Sequence, residues 1–264
     1  MPKRQEVLGF PITLGTSNEL IDAILSLAES GRSSYVCVAA VHQVIEAYRD
    51  SSFRKISHGA DIVTPDGMPI TWALRTLFGI RQERVAGMDL LPALLNDASK
   101  KGVSVFFYGG TEEMLQKTNL HVQSEYPDLV VKGSYSPPFR PLTLLEEEEI
   151  AARINASKAQ LVFVVLGCPK QERWMQTMHN RINATMVGIG AALPVMVGIQ
   201  RRAPSWMQHA GLEWLYRLLQ EPKRLWKRYC VTNSMFIYLV TSEKLRSLVK
   251  RPRLLFDEKD SIKQ

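Results

Sequence analysis

The residues best placed to do chemistry lie in four short loops, each of which directly follows a run of residues that predicts a β-strand. They are Thr64-Pro-Asp-Gly67, Tyr108-Gly-Gly-Thr111, Gly167-Cys-Pro-Lys-Gln-Glu172 and Gly188-Ile-Gly190. Ligands of open α/β sheets bind beyond the carboxyl ends of the strands. We therefore expect these loops to meet at one binding crevice.

Asp66 is the candidate catalytic group of the first loop. A carboxylate at a strand-end turn can act as a general base toward a hydroxyl group. The same residues are also typical of a plain tight turn, because Pro65 presets φ and Gly67 tolerates a strained backbone. Taken alone, the motif favours the turn.

The other three loops offer backbone amides and polar side chains. Gly109 and Gly110 precede a predicted helix start, where an anion is stabilised, although glycine turns after strands are common. The segment Gly167–Glu172 puts Lys, Gln and Glu at a helix start and indicates a polar pocket. Gly190 belongs to an incomplete Gly-x-Gly-x-x-Gly pattern, which argues against a dinucleotide site.

The elements that must position these loops alternate between helix and strand. Capping boxes predict helix starts at Thr16 and Thr143, and Thr111 is a predicted N-cap. Further predicted helices span about 42–50, 68–78 and 89–102, with Asp89 as the N-cap of the last. Predicted strands span 35–41, 61–64, 103–108, 129–135, 161–166 and 186–189. Uninterrupted apolar strands that alternate with helices predict an α/β, Rossmann-like, mainly parallel sheet with helices on both faces.

The C-terminal quarter differs from the rest of the chain in charge and composition. Residues 200–264 contain 14 Lys or Arg and six Asp or Glu, a net charge of +8, whereas residues 1–199 carry −1. We predict a catalytic core over 1–195, a basic, aromatic helical appendage over 196–250 with a break at Pro222, and a disordered polar tail over 251–264. Such asymmetry favours an anionic partner: a lipid surface, a nucleic acid or substrate phosphates.

Composition excludes several classes of protein. A chain of 264 residues with 45% apolar content can bury a large core. No run reaches the roughly 18 apolar residues of a membrane span, and no signal segment follows the charged start, so we predict a cytoplasmic location. The three cysteines form no Cys-x-x-Cys pair and the five histidines no His-Glu-x-x-His motif, so we predict no bound metal and no cofactor.

Several motifs, in order and at characteristic spacing, together resemble the WecG/TagA/CpsF glycosyltransferases over about residues 7–230. They are Ala60–Met68, Arg84–Asp89, Phe107–Gly110, Tyr126–Asp128, Gly167–Glu172, Arg202–Pro204, Gly211–Arg217, Glu221–Arg224 and Arg228–Tyr229. The resemblance implies a Rossmann-like core and an appendage that closes the site and reaches the membrane. It also implies metal-independent, inverting transfer from a UDP-sugar to a polyprenyl-diphosphate-linked saccharide.

The resemblance implies a role for each candidate residue. Asp66 would be the general base, and arginines of the appendage would stabilise the leaving UDP in place of a metal. The predicted substrate-binding residues are Thr64, Arg84, Gly87, Asp89, Gly109, Gly110, Gly167, Pro169, Lys170, Gln171, Glu172, Gly190, Arg202, Arg217, Arg224 and Arg228. The implied location is the inner face of the plasma membrane, on anionic lipid, and a homo-oligomer is left open.

The chain departs from the family pattern at two places. Val38 and Ala40 stand where many members have Thr and Asn, and Leu193-Pro194 stands where many have Phe-Asp. These changes remove polar groups from the expected crevice and bear on donor choice. A family member of altered activity is therefore one alternative.

A second alternative is a Rossmann-like module whose basic tail binds nucleic acid, with strongly salt-dependent affinity. It leaves the loops of Asp66 and Gln171 without a role, and we expect no nucleic-acid partner. A nicotinamide-dependent oxidoreductase would need the complete glycine fingerprint that this sequence lacks.

Overall fold

The structure, a computed structural model, describes residues 2–249, with the side chain of His209 left out. Within this range the strands are β1 (Arg4–Val7), β2 (Phe10–Thr13), β3 (Ser34–Ala39), β4 (Ile62–Pro65), β5 (Val105–Gly109), β6 (Val131–Tyr135), β7 (Leu161–Val165) and β8 (Thr185–Gly188). Strands β3 to β8 form one sheet in the order β4-β3-β8-β7-β5-β6, and every neighbouring pair is parallel. The predicted parallel α/β sheet is confirmed.

Helices connect the strands and cover both faces of the sheet. In the first half of the chain they are α1 (Ser17–Glu29), α2 (Val41–Arg49), α3 (Ser51–Gly59), α4 (Met68–Phe78), α5 (Gly87–Lys101) and α6 (Glu112–Glu125). They continue with α7 (Leu144–Ser157), α8 (Lys170–Met178), α9 (Ala192–Met196), α10 (Ser205–His209), α11 (Glu213–Gln220) and α12 (Pro222–Val249). Two buried apolar clusters, one on each face, hold these layers together.

The local start signals in the sequence are confirmed at three helices. Both capping boxes form. The side chains of Thr16 and Thr143 accept from the backbone N–H of Glu19 and Glu146, and each glutamate side chain accepts in return from the backbone N–H of its threonine. Thr111 caps α6 by accepting from Met114 N at 3.2 Å. Short polar side chains thus satisfy backbone donors that the first helical turn leaves free.

The prediction that Asp89 caps α5 is wrong. The helix begins at Gly87 with Ala86 as its N-cap, and Asp89 lies in the first turn. Its carboxylate accepts from Arg84 and Arg202 instead of capping the helix. A first-turn carboxylate is still favourable there because it faces the positive end of the helix dipole.

Two features escaped the sequence analysis. Strands β1 and β2 form an antiparallel hairpin, and Thr13 Oγ1 accepts from Val63 N at 2.9 Å, which ties the hairpin to β4. The single helix predicted over 42–50 is followed at once by α3, which Asp50 caps through Ser52 N. Both elements are short, so their apolar patterns are too brief for periodicity to reveal.

The C-terminal helices pack onto the core. Pro222 begins α12, as the predicted break required, and α12 lies against α2 and α4. Leu225 and Phe236 are 2% and 3% exposed. The division into domains at residue 195 stays a prediction, and the predicted tail over 251–264 lies outside the described residues.

Across residues 2–249, no helix combines the length and the apolar character needed to cross a membrane.

Candidate active site

A cavity of about 700 Å³ lies beyond the carboxyl ends of β3, β4, β7 and β8 and is closed on its far side by α11 and α12. Its size falls within the range of small-molecule sites, about 300–1,000 Å³. Parallel strands bring their carboxyl ends to one edge, which explains why loops far apart in the sequence meet there.

The structure brings most of the predicted site residues to this cavity. Those that line it are Asp66, Arg84, Gly87, Gly167, Pro169, Lys170, Gln171, Gly190, Arg217, Arg224 and Arg228. Three of the four positions that depart from the family pattern, Val38, Ala40 and Pro194, line it as well. They give part of the wall an apolar surface.

Six predicted substrate-binding residues do not line the cavity. Thr64 is fully buried in β4, and Asp89 and Arg202 pair with each other. Glu172 is buried behind Gln171. The two remaining residues, Gly109 and Gly110, have packing explanations.

Gly109 and Gly110 form a close turn between β5 and α6. A side chain at Gly109 would put its Cβ 2.5 Å from the carbonyl oxygen of Val165 on the neighbouring strand. Gly110 has a φ of +75° and its N–H donates to that same oxygen at 3.0 Å. Close approach of two backbones therefore accounts for Gly109, and the left-handed backbone conformation accounts for Gly110.

Asp66 directly follows the carboxyl end of β4, and the charges of Glu213 and Arg84 both affect its pKa. Its Oδ1 accepts from Gly87 N at 3.1 Å, at the start of α5. Burial first, and then the negative charge of Glu213, raise the pKa of Asp66 to about 6, against the opposing influence of Arg84. A carboxylate with a pKa near the operating pH is suited to general base catalysis.

Arg84 joins the core to the appendage beside Asp66. Its guanidinium donates to Glu213 Oε2 of α11 at 2.7 Å, and the two side chains are only 15% and 17% exposed. Removing one partner would leave a poorly solvated charge. This ion pair fixes α11 over the cavity.

We expect Glu213→Gln to move the acidic limb of the kcat/KM profile to lower pH. A general base must be ionised to accept a proton, so with Asp66 in this predicted role the rate rises as pH rises through the pKa of that group. Without the charge of Glu213, that pKa falls toward its ordinary value. Glu83→Gln, which removes an exposed carboxylate bonded to Ser17 N, is the matched control. A limb that stays in place in Glu213→Gln would contradict this account of Asp66.

Arginines of the two C-terminal helices form a cationic wall opposite the strand ends. Arg217 of α11 and Arg224 and Arg228 of α12 all line the cavity. Arg224 pairs with Glu221, whereas Arg217 and Arg228 make no ion pair with a carboxylate of residues 2–249. Such cations favour an anionic ligand such as a diphosphate.

His42 is a cavity residue that the sequence analysis missed. Burial first, and then the charges of Arg228 and Arg217, lower its pKa to about 3, so the imidazole is neutral near pH 7. It sits in the first turn of α2, directly after β3. The same strand-end rule that selected the other loops could have found it.

Other residues missed by the sequence analysis come from the appendage and α2. Glu213, Trp214 and Tyr229 line the far wall, and Gln43 lines the near wall. Trp214 and Tyr229 pack edge to face with ring centroids 5.9 Å apart. Within residues 2–249, no three His, Cys, Asp or Glu side chains group in a way that could hold a metal ion.

Comparisons with known proteins agree with this geometry. Residues 5–250 match the model of the Glycosyl transferase WecG/TagA/CpsF family. The chain is 31% identical over 201 residues to an N-acetylglucosaminyldiphosphoundecaprenol N-acetyl-beta-D-mannosaminyltransferase of Bacillus spizizenii. The aligned region covers 76% of each chain. It is 30% identical over 220 residues to a protein of the same description from Bacillus subtilis. That aligned region covers 83% of this chain and 82% of the relative.

The match runs through the parallel sheet, the strand-end loops and the arginine-bearing helices that together enclose the cavity. The resemblance found in the sequence motifs is thereby confirmed. This chain belongs to the WecG/TagA/CpsF family of glycosyltransferases.

Proposed function

We propose that this protein transfers a sugar from a UDP-sugar to a polyprenyl-diphosphate-linked saccharide in the synthesis of a cell-surface polysaccharide or teichoic acid. The transferred sugar would be N-acetylmannosamine, a uronic acid or a similar sugar. The observation that carries the proposal is that one cavity contains a carboxyl group with a pKa of about 6 and two guanidinium groups, those of Arg217 and Arg228, that pair with no carboxylate of residues 2–249. The names of the two Bacillus relatives supply the acceptor class and the first candidate sugar.

The proposed reaction is a single displacement with inversion at the anomeric carbon. Asp66 takes the proton of an acceptor hydroxyl, and that oxygen forms a bond to the anomeric carbon. The bond from the anomeric carbon to the UDP oxygen breaks on the opposite face, and UDP leaves as an anion. Arg217, Arg224 and Arg228 stabilise the charge that develops on the diphosphate.

The acceptor lipid favours a membrane-bound location for the reaction. Trp206 and Trp226 are 64% and 57% exposed, and Lys223 and Lys227 lie on the same part of α12 as Trp226. Exposed tryptophans with clustered cations suit the headgroup layer of an anionic membrane. We therefore place the protein peripherally at the inner face of the plasma membrane.

Nucleic-acid binding has less support. The arginines that would contact phosphates line a cavity of about 700 Å³ together with Asp66. A carboxylate inside the binding surface opposes a polyanion, whereas it serves a transferase as a base.

A direct test screens purified protein for UDP release. A panel of UDP-sugars would be combined with a short-chain lipid-diphosphate-sugar acceptor, and each sugar tested with and without that acceptor. The proposal requires release that depends on both substrates. UDP-sugars that are all inert with the acceptor would overturn it.

We expect transfer to survive an excess of EDTA. Guanidinium groups in the cavity supply the positive charge that a divalent cation would otherwise place on the diphosphate. Transfer would be measured after chelation and again after Mg²⁺ or Mn²⁺ is added back. Loss of activity with recovery on adding either cation would show that the arginines are insufficient.

A further inference from the structure

Three buried polar side chains are in contact at the cavity wall, where Gln43 and Gln171 line the cavity and Glu172 lies behind them. Gln43 is 2% exposed, Gln171 is 4% exposed and Glu172 is 1% exposed. Gln43 comes from α2, and the other two come from the first turn of α8. Polar groups at this depth are costly unless hydrogen bonds satisfy them.

A single carboxylate oxygen organises the group. Glu172 Oε1 accepts from Gln43 Nε2 at 2.7 Å and from Gln171 Nε2 at 2.8 Å. Each amide therefore turns its NH2 group toward Glu172 and its carbonyl oxygen away. With Glu172 ionised, the opposite orientation would put an amide oxygen against the carboxylate oxygen, where two acceptors repel.

The carbonyl of Gln43 has a partner inside the protein. Its Oε1 accepts from Ala40 N at 2.6 Å and so caps α2, whose N-cap residue has no polar side chain. Both polar atoms of this amide are satisfied. Its orientation is therefore fixed from two sides.

The carbonyl of Gln171, by contrast, has no hydrogen-bond donor among the described residues. Gln171 Oε1 is buried and accepts no hydrogen bond within the described part of the chain. It lies 3.3 Å from the position that a Cβ on Gly190 would occupy, and both Gln171 and Gly190 line the cavity. A buried acceptor without a protein donor on the wall of a binding cavity can accept a hydrogen bond from a bound ligand.

We infer that Gln171 Oε1 accepts an N–H or O–H of the bound UDP-sugar and that Glu172 is the positioning residue that holds this oxygen toward the cavity. The inference rests on the proposed function and extends it. A neutral acceptor cannot bind phosphate oxygens, which are acceptors themselves. The cationic wall of Arg217, Arg224 and Arg228 therefore binds the diphosphate, and Gln171 accepts from a donor group of the base, the ribose or the transferred sugar.

A double-mutant cycle tests the inference. We expect Glu172→Met and Gln171→Met each to raise the Kd for UDP-sugar by about three- to tenfold, the value of one neutral hydrogen bond. The double variant should bind no more weakly than Gln171→Met, because Glu172 acts through Gln171. Losses that multiply in the double variant would overturn the inference. Glu172→Gln, which keeps an oxygen at this position, should recover much of the affinity lost in Glu172→Met.

Parallel titrations with UDP locate the donor group on the ligand. If UDP shows the same loss as UDP-sugar, the group belongs to the uridine; if only UDP-sugar shows it, the group belongs to the transferred sugar. Both results support the inference, and a loss with neither ligand in Gln171→Met contradicts it. Ser57→Ala removes another buried hydrogen bond, to Phe53 O in α3, and is the control for general destabilisation.

Side-chain amide NMR signals separate this inference from the proposed function. In ¹⁵N-labelled protein without ligand, we expect the amide protons of Gln171 and Gln43 to exchange slowly with solvent, and faster in Glu172→Met. Unchanged exchange in that variant overturns the positioning role whether or not the protein binds nucleotide. Wild-type protein that binds neither UDP nor UDP-sugar overturns the proposed function and the ligand contact of Gln171 with it.

Discussion

Replacement of Asp66 by Asn is expected to lower kcat by about 10²–10⁴, the usual contribution of general base catalysis. Asparagine keeps the oxygen that accepts from Gly87 N but cannot take a proton. UDP binding should change little, because the cationic wall is intact. Steady-state transfer and calorimetric binding of UDP measure the two effects.

The same substitution should leave the fold as stable as before, or more stable, at pH 8. The pKa of Asp66 rises from 3.8 in an unfolded chain to about 6 in the fold, so the folded state resists ionisation of this carboxyl. Wild-type protein therefore loses stability relative to Asp66→Asn as pH rises from about 4 to 6, and the difference then persists. Thermal unfolding at pH 4 and pH 8 checks the sign.

Two outcomes would remove Asp66 from its catalytic role. Turnover within a few-fold of wild type would show that another group takes the proton. A melting temperature that collapses in Asp66→Asn would show that the carboxylate serves the turn between β4 and α4.

The second large effect is expected from the combined change of Arg217, Arg224 and Arg228 to Ala. Transfer should fall by about 10³ or more, since losing one preorganised group that stabilises developing charge can cost 10²–10³. The loss should persist with a water-soluble acceptor, because these side chains face the cavity. Part of the binding to anionic liposomes should remain through Lys223 and Lys227, at about 1 kcal/mol per basic residue.

The matched control removes the same charge from the outer surface. Lys223, Lys227 and Arg246 are exposed residues of α12 that do not line the cavity. Changing these three to Ala should weaken liposome sedimentation while transfer to the soluble acceptor stays within a few-fold. The variant with Arg217, Arg224 and Arg228 changed to Ala could instead keep full transfer to the soluble acceptor. That result would show that these arginines serve membrane docking and that the core alone stabilises the diphosphate.

Side-chain variants are preferable to deletion of the C-terminal helices. Phe236 of α12 is part of the core cluster that also contains Ile45 and Leu74, and Leu225 is buried too. Deletion would expose this apolar surface and confound loss of the arginines with loss of packing.

The sequence by itself determined the sheet and the edge at which the site lies. Apolar strands such as Leu161–Val165, alternating with helices, have few solutions other than a parallel sheet covered on both faces. Once the strands are parallel, their carboxyl ends share one edge, so Asp66, Gly167 and Gly190 had to come together. The motifs, taken in order, indicated the family before any contact was known.

Only the tertiary structure decided which polar residues of those loops line the cavity. Gln171 and Glu172 are neighbours in sequence, yet one lines the cavity and the other is buried behind it, because successive side chains of a helix point about 100° apart. The spacing of Gly109 and Gly110 likewise could not show that the Gly109 backbone packs against Val165 or that Gly110 adopts a positive φ.

The electrostatics of the site also came from long-range contacts. Glu213 lies 129 residues from Arg84 in the chain, and its charge beside Asp66 is what moves the pKa of that carboxyl beyond the effect of burial. His42 is neutral near pH 7 first because it is buried, and then because the charges of Arg228 and Arg217, brought close by the fold, lower its pKa further. Local sequence specifies which groups are present, whereas their charge states depend on burial and on neighbours that only the folded chain supplies.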